Sequence, residues 1–300
     1  MNYKKIIKSK ELRFKILSWL EFIPDKVMVR LQYWIKTGKI LNLKHPKRFN
    51  EKIQWYKLFY RDPLMTKCAD KYRVREYVAS KGYEEILIPL CGAYDCAEEI
   101  DFDKLPDEFV LKTTNGSHTN IICRNKKKLN IRDTVNTLNS WLKQKSVKLG
   151  REWAYYNIEP KIVCEQFLKD SQDVNSELKD YKFLCFDGEV KYIWVDVNRS
   201  TNHKRNFYDV SWNYLEVESD VPSYGDNIEK PEGLKKMLEI AQRLSEEFPH
   251  VRVDLYWVNN KVYFGELTFY LLSGYESFYP DNFDYVLGRE FNLPEVKTKV

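Results

Sequence analysis

Two pairs of strand-like runs, each broken by a two-residue turn, constrain the second half of this chain more than any other feature. Tyr181 to Phe186 and Val190 to Val195 are joined at Asp187-Gly188, a pair that tolerates the left-handed backbone of a tight hairpin turn. Val251 to Val258 and Val262 to Phe269 repeat the arrangement across Asn259-Asn260. Between them Pro231 starts a helix and Pro249 ends it, with Leu234, Met237, Leu238, Ala241 and Leu244 on one face. The first half also alternates helices and strands over short connections. Asp62-Pro63 and Asp70 are N-cap signals, and Lys71 to Lys81 reads as a helix stopped by Gly82. Ile86 to Leu90, Phe109 to Leu111 and Ile162 to Cys164 read as short strands, and Ile131, Val135, Leu138 and Leu142 mark one helical face. No internal repeat or low-complexity segment interrupts the pattern.

Composition excludes several classes. With 300 residues, 43% hydrophobic, and only 11 Gly and 11 Pro, the chain is globular rather than disordered or fibrous. Its longest apolar stretch, Ile86 to Tyr94, falls well short of the roughly 20 residues of a membrane span. No signal-peptide pattern is visible, so a soluble, cytoplasmic protein is expected. The six cysteines lack C-x-x-C spacing and the four histidines are scattered, which argues for reduced structural thiols and against zinc or Cys/His catalysis. Charge is uneven: residues 1–48 hold 13 Lys and Arg against 3 Asp and Glu. That is +10, in a chain whose total is +5. Leu12, Ile16, Trp19, Leu20 and Ile23 recur at helical spacing beside Lys8, Arg13 and Lys15. Such a basic amphipathic helix either packs its stripe on the body or lies on an anionic membrane. Nucleic acid is not an expected partner, because the remaining residues are net acidic and carry no binding motif.

Three stretches can carry chemistry. Arg252-Val253-Asp254 and Glu266-Leu267-Thr268 lie on the partner strands of the last hairpin. A strict two-residue turn pairs Val253 with Glu266, whereas a longer loop or a bulge sets Asp254 opposite Glu266. Facing carboxylates repel unless a cation or shared proton intervenes, and an oxygen-rich set suits Mg²⁺ carrying nucleotide phosphates. The plainer alternative pairs each carboxylate with a nearby Lys or Arg. The second stretch, Phe109 to Ile121, is a strand ending in Lys112 followed by a small polar loop with Gly116 and Ser117. It offers backbone N–H groups and a point charge to phosphate, or makes an ordinary hairpin. In the third, Ile162 to Leu168, a strand containing Glu165 runs out into polar sequence and can present its backbone and that carboxylate to an adenine edge, or simply end there.

In this order the three stretches resemble the motif series of ATP-grasp ligases, and the detailed sequence is similar to the TupA-like branch that acts in teichuronopeptide and capsular polysaccharide biosynthesis. The resemblance is carried by Arg48 to Trp55, Ala69 to Tyr77, Leu105 to Lys112, Asp180 to Phe183, Lys204 to Tyr208 and Phe264 to Phe269. It implies an α+β ATP-grasp fold in which two subdomains clamp ATP, preceded by a basic helical segment. The implied boundaries are 1–48 for that segment, 49–106 for the first part of the body, 107–164 for the lid and 165–300 for the metal-binding part. It also implies an ATP-dependent carboxylate-amine ligase working through an acyl phosphate. The expected substrates are a uronic acid of a capsular or cell-wall glycan, or its precursor, and an amino acid or other small amine.

Carried over to this sequence, Lys71, Lys112 and Ser117 would hold phosphates. Glu165 with the backbone of Gln166 and Leu168 would hold adenine, and Asp180 would reach the ribose. Lys182 and Arg205 would contact phosphate or substrate. Asp254 and Glu266 would bind Mg²⁺ with Thr268 beside them, where many relatives have Asn, and Arg252 would stabilise the transferred phosphoryl group. The loop has His118 where a second glycine is common in this branch. A lipid-linked glycan would suit an enzyme lying peripherally at the inner face of the membrane. A competing reading is a glycosyltransferase, from Asp101-Phe102-Asp103, which is formally D-x-D. A glycan-binding module, suggested by 8 Trp and 21 Tyr, has no use for the lysines and carboxylates.

Overall fold

The computed structural model describes residues 9, 19–116, 119–144, 150–171 and 177–295. Helices α1 (Asp25–Thr37), α2 (Phe49–Phe59), α3 (Pro63–Ala69) and α4 (Val74–Ser80) come first. Asp62 caps α3 by accepting from the Leu64 N–H, with Pro63 in the first turn, a cap worth about 1 kcal/mol. Asp70 accepts in the same way from Tyr72 and Arg73. Residues 71–73 nevertheless form a separate turn, and the helix expected from Lys71 begins at Val74.

The described residues build two antiparallel sheets. The first joins β1 (Leu90–Tyr94), β2 (Phe109–Thr113), β3 (Asn120–Cys123) and β4 (Ile162–Gln166) in the order β1-β4-β2-β3. Helix α5 (Ile131–Leu142) covers one face, burying Leu138 with Phe109, Leu111, Ile162 and Cys164. The strand expected at Ile86 to Leu90 lies further on, since Glu84–Ile86 is a 3₁₀ turn and β1 starts at Leu90. Pro89 has no N–H to give a ladder; its carbonyl instead accepts from the Gln166 N–H at 3.0 Å. This sheet thus draws a strand from the 49–106 segment and continues two residues past Cys164.

The second sheet joins β5 (Asp180–Phe186), β6 (Glu189–Val197), β7 (Lys204–Asp209), β8 (Tyr214–Leu215), β9 (His250–Val258) and β10 (Lys261–Thr268), in the order β10-β9-β5-β6-β7-β8. Both tight turns adopt left-handed backbone, with φ of 48° and 81° at Asp187 and Gly188, and 50° and 60° at Asn259 and Asn260. Helix α6 (Leu234–Ser245) buries Leu234, Met237, Ile240, Ala241 and Leu244 as it packs on β5, β6 and β9. Each larger side chain of that stripe contributes about 1.5–3 kcal/mol of burial. Helix α7 (Asn282–Glu290) packs on α2. A Cβ at Gly288 would lie 2.1 Å from the Lys47 carbonyl oxygen, so only glycine permits that approach.

At the N-terminal end, α1 buries Met28, Val29, Gln32 and Tyr33. Arg151 donates to the carbonyls of Leu20 and Glu21 and to Asp25. Of the basic amphipathic stripe, Leu12 and Ile16 lie outside the described residues. All six cysteines carry free thiols, four of them buried.

Candidate active site

From the Asn259-Asn260 turn, β9 and β10 pair residue for residue as far as Leu255 opposite Phe264. A bulge at Gly265 then adds one residue, so Glu266 faces Asp254 and Thr268 faces Arg252. A Cβ at position 265 would lie 3.0 Å from the Asp254 carbonyl oxygen and 3.3 Å from its Cβ. Glycine lets the bulged strand close on its partner. Of the two registers open from the sequence, the bulged one is adopted, and it brings the two carboxylates together.

The same pleat carries the polar face across the sheet. Lys182 on β5 stands opposite Asp254, and Asp180 stands opposite Asp196, which stands opposite Arg205 on β7. Arg252 forks onto Asp254, with Nε to Oδ1 and Nη2 to Oδ2 both at 2.6 Å, and Nη2 also donates to Glu266 Oε1 at 2.9 Å. Lys182 Nζ donates to Asp254 Oδ2 at 2.8 Å and to Asp180 Oδ2. Arg199 Nη1 reaches the same Asp180 oxygen at 2.6 Å. Thr268 Oγ1 donates to Glu266 Oε1 at 3.2 Å. Acids and bases therefore alternate along the face, as the plainer alternative required, while the two carboxylates still face each other.

Their electrostatics differ. Burial pushes the Asp254 carboxyl up, against the pull of Arg252 and Lys182. At Glu266 desolvation also acts upward, but Arg252, Lys71 and Lys182 outweigh it and hold the carboxyl down at about 2. The Glu266 side chain remains 47% exposed, so solvent screens these interactions more than at Asp254. For Arg252, burial opposes its charge, yet Asp254 and Glu266 raise its pKa further above the ordinary value.

The first sheet supplies a second basic group. Lys112, on β2, places Nζ 2.5 Å from Glu165 Oε2, and Arg75 approaches Glu165 Oε1 at 3.8 Å. Lys71 Nζ donates to the carbonyls of Thr113 at 3.3 Å and Gly116 at 2.5 Å, tying the 71–73 turn to the polar loop. Burial lowers the Lys71 pKa, with Glu266 opposing and Lys112 adding to the shift. Lys71 thus acts electrostatically on both sheets. Ser117 and His118 lie outside the described residues.

Other predicted residues sit differently. The Glu165 carboxylate is committed to Lys112, and the Gln166 N–H to Pro89. The Gln166 side chain is exposed and Leu168 is half-buried beyond the end of β4. Asp180 is buried, and its Oδ1 has no hydrogen-bond partner among the described residues. Arg205 lies three strands from β9, roughly 14 Å at ordinary strand spacing. It donates to both Asp196 oxygens at 2.6 and 3.1 Å and to Glu276 at 3.4 Å. Its guanidinium nonetheless adjoins the Arg252 group across Trp194, whose ring centroid lies 4.4 Å from Arg205 Cζ and 5.8 Å from Arg252 Cζ. Asp101 and Asp103 occupy a turn before β2, where Asp101 pairs with Lys104 at 2.9 Å.

Sequence reasoning did not single out Arg75, Arg199, Asp196 or Glu276. The four-residue spacing of Lys71 and Arg75 was an available signal for the first. The others become neighbours only through strand register. Among the described residues no three His, Cys, Asp or Glu side chains cluster closely enough to hold a metal ion by themselves. Two facing carboxylates, with one Glu266 oxygen not used by Arg252 or Thr268, fit a hard cation that completes its shell with phosphate oxygens and water.

Two antiparallel sheets, with two lysines on one side and an Arg-x-Asp/Glu-x-Thr hairpin on the other, define an ATP-grasp chain. Residues 51–292 match the TupA-like ATP-grasp family, and the protein belongs to it. Among solved structures, D-alanine–D-alanine ligase from Bacillus anthracis is 19% identical, with a TM-score of 0.42 over 67% of this chain and 56% of that one. Phosphoribosylamine–glycine ligase from Thermotoga maritima is 12% identical, with a TM-score of 0.39 over 68% and 48%. N5-carboxyaminoimidazole ribonucleotide synthetase from Thermus thermophilus is 14% identical, with a TM-score of 0.37 over 83% and 52%. The chain spans about half the length of these structures. No curated protein matches it.

Proposed function

We propose that the protein is an ATP-dependent carboxylate-amine ligase that forms an amide through an acyl phosphate. The observation that carries this reading is the Gly265 bulge, which sets Asp254 against Glu266 with Arg252 bridging them. Asp254 and Glu266 would hold Mg²⁺, which would neutralise charge on the phosphates of ATP, the source of the phosphoryl group. Lys71 and Lys112 bind the phosphates as point charges. Arg252, fixed by its fork to Asp254, donates its N–H groups to the transferred phosphoryl oxygens, where a preorganised cation lowers the barrier most. The unpartnered Asp180 Oδ1 supports the ribose assignment, because it can accept from a hydroxyl. Arg205, held by Asp196 and Glu276 and sharing the Trp194 ring with Arg252, would contact the acceptor or a phosphate.

Family membership supports the substrate class: a uronic acid carboxylate in a capsular or cell-wall glycan or its precursor, joined to an amino acid or other small amine. A need for ATP supports a cytoplasmic location. Uronic acid donors crossed with amino acids, with ADP release and product mass both recorded, test the reading. The expected result is ADP formed only when both substrates are present, with a product heavier than the acid by the amine less one water. Release of UDP from a sugar nucleotide without ADP would overturn it in favour of a glycosyltransferase.

A further inference from the structure

We propose that the outward face of α1, with the turn before it and the residue Ile40 after it, is a docking surface for an anionic lipid bilayer. Fourteen large hydrophobic side chains are exposed among the described residues, and six of them fall between residues 19 and 40. They are Trp19, Phe22, Val27, Leu31, Trp34 and Ile40, with Phe22 at 83% and Ile40 at 87% exposure. Val27, Leu31 and Trp34 follow one another at helical spacing on the side of α1 away from the buried Met28, Val29, Gln32 and Tyr33. The helix is therefore apolar on two sides: one fills the body, and the other faces water.

Lys26 and Arg30 are exposed beside this stripe, and Lys44 and Lys47 follow beyond it. They belong to the 48 residues whose net charge is +10, while residues 49–300 carry −5. An anionic bilayer satisfies both features, taking Trp, Leu and Phe side chains into its interface and Lys and Arg into the headgroups. Each engaged basic residue strengthens such binding roughly fivefold. Self-association through the same face would instead bring two strongly basic surfaces together.

The location gives docking a consequence. The inner side of α1 rests on Tyr275, whose hydroxyl donates to Gln32 Oε1 at 3.0 Å and whose ring lies 3.8 Å from Lys36 Nζ. Tyr275 ends the short segment that follows β10, in which Lys57 holds Ser273 through its carbonyl at 2.6 Å and its hydroxyl at 2.8 Å. The docked face is thus about one helix diameter, ~10 Å, from the segment leading out of the carboxylate hairpin. A bilayer there would bring acceptors carried on lipid close to the proposed ligase cleft. The docking itself does not depend on the reaction proposed above.

Co-sedimentation of the full chain with phosphatidylcholine vesicles, with and without phosphatidylglycerol, tests this. Binding is expected only to the anionic vesicles and should weaken at least tenfold in high salt. The double variants Leu31→Glu/Trp34→Glu and Lys26→Glu/Arg30→Glu should each lose at least tenfold in affinity, keep the wild-type melting temperature, and release ADP in vesicle-free assays at the wild-type rate. Three results would overturn the proposal. One is equal binding, or none, to both vesicle types. Another is a dimer in light scattering that Leu31→Glu/Trp34→Glu dissociates. The third is a clear fall in melting temperature for that variant, meaning that the chain itself covers the stripe. If no substrate yields ADP but anionic vesicles still bind, the ligase reading fails and the docking surface stands.

Discussion

Replacing Asp254 by Asn removes a buried carboxylate whose two oxygens accept from Arg252 and Lys182. Replacing Glu266 by Gln removes one that is 47% exposed and linked to Arg252 by a single 2.9 Å contact. Both changes delete a proposed Mg²⁺ ligand, and each should reduce ADP formation by several kcal/mol of transition-state stabilisation. Their effects on folding should diverge. Asp254→Asn takes one of two carboxylate partners from each of two buried cations, Arg252 keeping Glu266 and Lys182 keeping Asp180, and breaking such a buried pair costs about 3–5 kcal/mol. Glu266 has a pKa held down at about 2, but its solvent exposure screens that advantage, so Glu266→Gln should cost about 1 kcal/mol or less. At about 2 °C per kcal/mol for a chain of this size, the melting temperature should fall by roughly 6–10 °C in the first variant and by 2 °C or less in the second. Differential scanning fluorimetry at neutral pH, beside a coupled ADP assay, reads both quantities. Equal melting temperatures would refute the claim that Asp254 organises the buried ladder. Near wild-type turnover in either variant would refute the metal assignment.

Three further outcomes follow from the same geometry. Lys112→Ala and Lys71→Ala should each weaken ATP binding about tenfold in calorimetry, with only partial recovery in Lys112→Arg, because a planar fork does not reproduce a compact ammonium; unchanged affinity would remove them from the phosphate site. Gly265→Ala pushes a Cβ to 3.0 Å from the Asp254 carbonyl oxygen; it should lower kcat at least tenfold through misplacement of Glu266 while costing about 1–3 kcal/mol of stability, and an unchanged kcat would show that the bulge tolerates a side chain. Burial pushes the Glu276 carboxyl up to about 7, against the pull of Arg205. A raised folded pKa makes this stabilisation full below pH 4.5 and lost as the pH rises through 7, by up to about 3 kcal/mol. Urea midpoints of wild type and Glu276→Gln should therefore diverge between pH 5 and 8, with the variant flatter; parallel curves would count against it.

Much of the second sheet was legible in the sequence because local chemistry and long-range pairing agree there. Asp187-Gly188 and Asn259-Asn260 fix their turns, and the α6 stripe meets β5, β6 and β9 as its spacing requires. The first sheet was less legible. A short apolar run containing Pro89 has no periodicity to separate strand from turn, and β1 is completed by β4, about seventy residues away in sequence. The facing of Asp254 and Glu266 was legible only as one of two registers, because a bulge leaves no signature beyond a single glycine. The partners of Asp180, Asp196 and Arg205 were not legible at all. Three strands set their neighbours, and no spacing within one strand records them.

The bulge also turns hairpin length into a matter of parity. Because successive residues of a strand point to opposite faces, removing one residue between Asn260 and Glu266 while keeping the bulge would send Glu266 to the opposite face of the sheet and leave Leu267 in the cleft. Exchange of the Asn259-Asn260 turn for another is therefore compatible with the carboxylate pair only if the new turn keeps an even count, or changes the count and abolishes the bulge at the same time. Any homologue or redesigned chain with a loop of different length here must show its compensation within these few residues.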